Sequence, residues 1–279
     1  MNNKNIDLLI NNFLRKAKQA VKNNETIEFR EGFLRNIVNK PINFTTGNPY
    51  RDSNATMLWL NFGANAKVAT FNQIKNAGGH VKAGAKGVKL HNSHYEDIVE
   101  HDDELDEDVV VGSRLITTYF NVFSINDVEG ITLPEEDTTS HVVLSRQSND
   151  FIDDICRRLG VRLETTNGRP DVDVERKVIK LPSDDRWLSE KDRFYTTIEK
   201  LSYLKLAQVE SRLSSDYQNI INSLVAASIS SYFGYEDEEN SLGFLTSFIK
   251  KVETNATFLP AVLNQTFRIV DDFVGSIQN

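Results

Sequence analysis

The twenty residues Phe71–Leu90, FNQIKNAGGHVKAGAKGVKL, hold four glycines, four lysines and no acidic residue. Glycine lets the backbone adopt φ > 0 and lets an N–H approach a ligand with no side chain in the way. Lys75, Lys82, Lys86 and Lys89 place ammonium groups around those glycines. This combination suits phosphate. The P-loop order GxxxxGK[ST] and the dinucleotide order GxGxxG are both absent, so no built nucleotide cradle is implied. Two readings remain from spacing alone: ionic contact with a phosphate backbone, or a solvated hairpin turn.

Aromatic residues interleave with these bases: Tyr50-Arg51, Trp59, Phe62, Phe71, Tyr95, Tyr119-Phe120 and Phe123. Proteins that hold single strands combine a basic groove with aromatic faces on which bases stack, each stack worth roughly 1–3 kcal/mol. In Tyr119–Phe123 the alternation requires one face to be core. Trp59 and Phe71 sit among apolar neighbours and read as core residues.

Other chemistries find little support. His91 and His94, with Glu96 and His101 nearby, offer donors for a surface zinc ion, but the acidic run beside them gives no rigid platform, and no metal is expected. No GxSxG elbow is present. Cys156 is the single cysteine and lies at helical spacing with Ile155 and Leu159, as a packed side chain does. One cysteine also excludes an intrachain disulfide and points to a reducing compartment. No cofactor and no enzymatic activity are expected.

The charge is segregated. Residues 1–95 carry 14 Lys/Arg against 5 Asp/Glu, a formal +9, while residues 96–108 carry nine acids and no Lys/Arg. A basic head followed by an acidic run and an acidic body points to a polyanion partner for the head. The run itself, EDIVEHDDELDED, is expected to be a solvated, mobile loop that competes for the basic groove when that partner is absent. No apolar stretch approaches the roughly 18–20 residues of a membrane span, and the first residues read as an amphipathic helix rather than a signal peptide. A cytoplasmic protein without membrane contact is the expectation.

The elements that must position these residues follow from periodicity. Leu9, Phe13, Ala17 and Ala20 mark a helix over 6–22. Residues 39–56 read as loop, 57–62 as a short helix, and 69–77 as another, stopped by Gly78-Gly79. Residues 88–90 and 114–123 alternate as strands and pair as a long hairpin with the acidic run at its tip. Beyond a boundary near 130–148 come helices over 149–159, 190–213, 217–232, 241–253 and 257–275, with a strand at 178–182. The fold class is α+β: an α+β domain over 1–135, with 96–108 as its acidic loop, and a mainly helical domain over 136–279.

The head resembles the N-terminal single-stranded-DNA-binding domain of ArdC-like antirestriction proteins. The marks are Pro41-x-Asn43-x-x-Thr46-Gly47-x-x-Tyr50-Arg51-x-x-Asn54, Thr70-Phe71-x-Gln73, Gly78-Gly79-x-Val81-Lys82-x-Gly84-x-Lys86-Gly87, and Val122-Phe123 with Glu129-Gly130. Ala83 stands where that family usually has Lys. The tail is similar to the zincin-type metallopeptidase domain that follows in the family, through Ile179-x-Leu181-Pro182 and Phe194-Tyr195-x-Thr197. Where an HExxH helix is implied, this chain reads Glu199-Lys200-Leu201-Ser202-Tyr203, and Ala227 takes the place of the third ligand. Two histidines at i and i+4 and a glutamate are what the metal and its water require.

The resemblance implies a sequence-independent single-stranded-DNA-binding protein of a phage or plasmid, acting in replication, recombination or protection of incoming DNA. Lys75, Lys82, Lys86, Lys89 and Arg51 would follow the backbone. Tyr50, Tyr119 and His80 would stack on bases, with Phe71 and Gly79 in the same strand-gripping set. Asn54 and Gln73 would hold the loops in place. The tail, zincin-like without a metal site, would dock host or phage replication proteins. The alternative is an anti-defence protein that binds a host enzyme through protein contacts, its acidic run imitating DNA.

Overall fold

A computed structural model describes residues 3–25, 37, 38, 40–63, 66–102, 107–131, 145–209, 213–235, 241–255 and 257–274. The protein is α+β, and its described residues fall into two compact units that interleave along the chain. One unit takes residues from Met1–Pro41, Tyr50–Asn65 and Pro134–Asn279; the other takes them from Ile42–Pro49 and Ala66–Leu133. This division is not the single cut near residue 135 that the sequence suggests. Residues 132–144, where that cut would fall, lie outside the described residues.

The physical reason for the interleaving is apolar. Helix α1 (Asn3–Asn23) buries Ile10, Phe13, Ala17 and Ala20 along one face. Helix α2 (Asp52–Phe62) buries Ala55, Thr56, Leu58 and Trp59. Ile10, Phe13 and Ala17 of α1 and Trp59 of α2 belong to the core of the helical unit, where Phe13 meets Trp59 at 6.3 Å and Phe248 edge-on at 6.0 Å between ring centroids. The rest of that unit is α4 (Ser145–Leu159), α5 (Glu190–Val209), α6 (Ser215–Tyr232), α7 (Ser241–Thr254) and α8 (Phe258–Val274). Residues 221–230 of α6 are buried without interruption except Ser223, which is half-buried, as a central helix requires. Its Asn222 is satisfied by Ser202 of α5, whose hydroxyl donates to Asn222 Oδ1 at 2.8 Å. Burial pushes the Cys156 thiol up to about 11, with Asp153 adding to the effect, so the thiol is a packed group rather than a nucleophile.

The unit also holds a sheet that periodicity reveals only at 178–182. Strand β9 (Val178–Pro182) is central, parallel to β7 (Arg162–Thr166) and antiparallel to β8 (Asp171–Asp173). The flanking strands are charged and short, so neither shows an apolar alternation.

The second unit is a four-stranded sheet ordered β1 (Ile42–Asn43), β2 (Lys67–Thr70), β5 (Glu107–Ser124), β4 (Val88–Asp102). Helix α3 (Phe71–Asn76) follows β2, and a separate pair, β3 (His80–Val81) with β6 (Val128–Glu129), closes the loop after it. Val68, Ala69, Ile74, Val88, Leu90 and Val122 form the core of this small unit. The expected helix over 69–77 is shorter at its start, because Ala69 and Thr70 pair with Phe123 and Val122 as strand.

The β4–β5 hairpin is the long one expected, yet the acidic run is not merely its loop. Pairing continues to Asp102 opposite Glu107, with a bulge where Ile98 and Val99 face Gly112 and Val110. Strand carries Glu96 to Asp102, and residues 103–106 lie outside the described residues. Valines and Leu115 on β5 supply the β-forming partners that the acids lack.

Candidate nucleic-acid interface

The glycine-lysine segment is built outward from α3. Its first turn is closed by a capping box: Thr70 Oγ1 accepts from the Gln73 N–H at 3.3 Å, and the Thr70 N–H donates to Gln73 Oε1 at 2.9 Å. Asn43 Nδ2 donates to the same Gln73 oxygen at 3.0 Å. Asn43 Oδ1 in turn accepts from Thr45 N–H at 3.0 Å and Thr45 Oγ1 at 2.7 Å, holding the turn after β1. Gln73 is thus a positioning residue, tying that turn to α3.

The helix ends in a Schellman motif. Gly78 has φ +84°, its N–H donates to Lys75 O at 3.0 Å, and the Gly79 N–H donates to Ile74 O at 2.9 Å. Gly79 is buried rather than presented to a ligand: a Cβ there would lie 2.6 Å from Ile131 Cγ1 and 2.9 Å from the Glu129 carbonyl oxygen. Gly87 is exposed, though its Cβ position lies 3.2 Å from the Phe123 ring. Much of the family pattern is therefore steric and hydrogen-bonded scaffolding.

The expected site residues divide between the two units. Phe71, Gln73, Lys75, Gly79, His80, Lys82, Lys86, Lys89 and Tyr119 belong to the sheet unit, whereas Tyr50, Arg51 and Asn54 belong to the helical one. Arg51 lies at the start of α2, within electrostatic reach of Asp271 of α8. Burial pushes the Asp271 carboxyl up, opposed by Lys40, which ion-pairs with it, and by Arg51. The basic head is likewise not one body. Of its Lys/Arg residues, the sheet unit holds Lys67, Lys75, Lys82, Lys86 and Lys89, while those of α1 belong to the helical unit.

Within the sheet unit, Phe71 corrects its reading as core: it is 55% exposed, at the first turn of α3 and one helical turn from the exposed Lys75. His80 is exposed but bound to Glu129 across the β3–β6 pair at 2.9 Å. Lys82 Nζ donates to the Asn126 carbonyl at 3.0 Å, and its N–H to Asp127 O at 2.9 Å, so this lysine closes the loop locally. Lys86 and Lys89 are exposed at the root of the hairpin. There the Lys89 ammonium sits 4.9 Å from the centroid of the Tyr119 ring, which is 56% exposed. A cation and an open aromatic face therefore share one place.

The acidic run leaves that place instead of covering it. At about 3.3 Å per strand residue, Glu96 lies about 23 Å and Asp102 about 43 Å along β4 from Lys89. The competition expected from charge alone has no geometric basis in the paired ribbon. His91 and His94 alternate to opposite faces of the same strand.

With this geometry stands a match over residues 11–123 to the family model for the N-terminal domain of anti-restriction factor ArdC. Those residues carry an ArdC-type N-terminal domain. Two crystal structures of the antirestriction ArdC protein from the R388 plasmid, one metal-free and one Mn(II)-bound, are similar in fold. Each has a TM-score of 0.57 and 18% identity over 94% of this chain and 97% or 98% of theirs. No curated protein matches the chain. The capping box, the Schellman glycines and the Lys86–Gly87 entry to β4 lie within the matched residues.

The metal question turns on donor chemistry. Where the zincin resemblance puts ligands, α5 offers Glu199, ion-paired with Lys200 at 3.2 Å, and Tyr203, and α6 offers Ala227. One neutralised carboxylate, a phenol and a methyl group do not suit a divalent cation. Among the described residues no three His, Cys, Asp or Glu side chains gather as a metal site, and no helix is long and apolar enough to cross a membrane.

Proposed function

We propose that the protein binds single-stranded DNA without regard to sequence, in the cytoplasm of a cell carrying the phage or plasmid that encodes it, and catalyses no reaction. The observation that carries this reading is the Lys89 ammonium over the exposed Tyr119 ring, flanked by Lys86. Such a site offers backbone charge and a stacking face but no edge-reading constellation, so every base fits it alike. Phe71 and Lys75 on α3 add a second aromatic and a third cation. The role follows from the activity: coating strands during replication, recombination or entry of foreign DNA, with the helical unit available to replication proteins.

Replacing Lys86 and Lys89 together by Ala tests the reading. The double variant should bind a labelled oligonucleotide more weakly, and its log K against log salt slope should flatten by about 1.4, or about 0.7 for each lost contact to a single strand. Unchanged affinity and slope would remove the root of the hairpin from the interface.

A second reading has its own observation. The distal ribbon exposes Ile98, Val99, Val110 and Val111 within a stretch that carries nine acids, a surface suited to a basic, apolar protein face. An anti-defence protein of that kind would occupy a host enzyme through the ribbon, and the Lys86/Lys89 variant would then lose nothing.

A further inference from the structure

The hairpin register gathers more on one face than the basic loop uses. Lys89 opposes Asn121, His91 opposes Tyr119, Ser93 opposes Thr117, and Tyr95 opposes Leu115. Directly opposed residues share a face, so these side chains form one stripe up the ribbon. Its reverse side at the root carries Val88, Leu90 and Val122, all buried in the core of the unit. At the root the stripe is therefore the solvent side, and farther out both faces of the ribbon are open to solvent. Tyr95 is 72% exposed and Leu115 58%. The His91 and Tyr119 rings meet edge-on at 6.4 Å, and Ser93 Oγ lies 2.8 Å from Thr117 Oγ1 between the two aromatic positions.

We infer that this face is a second stacking platform for unpaired bases, reached by a strand that leaves Lys86–Lys89, crosses Tyr119 and His91, and ends over Tyr95 and Leu115. The inference rests on the single-strand reading above and extends it beyond the loop. The chemistry favours nucleobases because cations sit only at the entry, where phosphates arrive, and hydroxyls separate the ring faces farther on. Tyr119 and Tyr95 are four strand residues apart, about 13 Å, too far for neighbouring bases, so the platform engages two separated positions of one strand. Its end is electrostatic. Asp97 is next on the same face, and Glu96 is already bound to Arg114 on the other at 2.6 Å. Beyond them the acids of the run repel phosphate.

The test uses the full-length protein and fluorescein-labelled oligothymidines of two lengths, one short enough to fill the root alone and one long enough to reach Tyr95. Tyr95→Ala should weaken the long oligonucleotide about 5- to 150-fold, the range of one lost stack, and leave the short one unchanged. The salt slope should not move, since no charge is lost, and Tyr95→Phe should restore affinity. Equal binding of the long oligonucleotide by Tyr95→Ala and the parent, with Lys86→Ala/Lys89→Ala still weakened, would overturn the platform and leave the single-strand reading standing. A parent protein that binds neither length would remove both.

Discussion

At the scale of single residues, the glycines of the basic segment do different work. Gly84 has φ +83° and open space around its Cβ position, so it serves only to turn the chain. Gly79 is held by a backbone carbonyl and Ile131, and a methyl group there forces a shift. Gly79→Ala should cost about 3 kcal/mol as overpacking against an atom that cannot rotate away, and Gly84→Ala about 1 kcal/mol for its left-handed backbone. Thermal or denaturant unfolding should rank them in that order, and the reverse order would contradict the packing described. The sequence shows that both positions favour glycine, and the resemblance places Gly79 among the ligand contacts. Only the approach of β6 and Ile131 reveals that Gly79 faces inward, because that approach depends on residues fifty positions away. Phe71 misleads for the opposite reason: apolar neighbours in sequence made it look buried, while its place at the start of a six-residue helix turns it outward.

At the scale of elements, α3 is too short to stand on propensity alone and depends on its ends. Gln73 Oε1 accepts from the Thr70 N–H and from Asn43 Nδ2, so one side chain fixes the helix start and the preceding turn. Gln73→Ala should cost about 1–3 kcal/mol, because the Asn43 amide is left without that acceptor in a part-buried place. Gln73→Glu, which keeps an oxygen there and suits a helix N-terminus, should cost less in the same thermal melt; equal losses would mean that the shared acceptor is unimportant. The hairpin was legible from alternation near its root. Its full length was not, since acids depress strand propensity and the pairing is sustained by Val109, Val110 and Leu115 across the ladder. For the same reason the acidic run looked like a loop able to fold back, whereas the ladder carries it away.

At the scale of the whole molecule, the chain is two units threaded through each other in sequence. The amphipathic face of α1 was plain from the spacing of Phe13, Ala17 and Ala20, but periodicity states only that a face is buried, not against what. Phe13 and Trp59 share a core with Phe248, more than 180 residues farther on, which no local pattern announces. The charge block is therefore divided: the cations of α1 belong to the helical unit, and the proposed interface rests on a few lysines of the sheet unit with Tyr119, Tyr95 and Phe71. An interface so composed should prefer strands whose bases are unstacked and available over duplex, whose bases are not. The direct measurement is a titration of the full-length protein with a labelled single strand and with duplex of the same length, each at two salt concentrations. Clearly tighter binding of the single strand, weakening as salt rises, is the expected result. Equal or tighter binding of duplex, or no binding of the single strand at the lower salt, would contradict it.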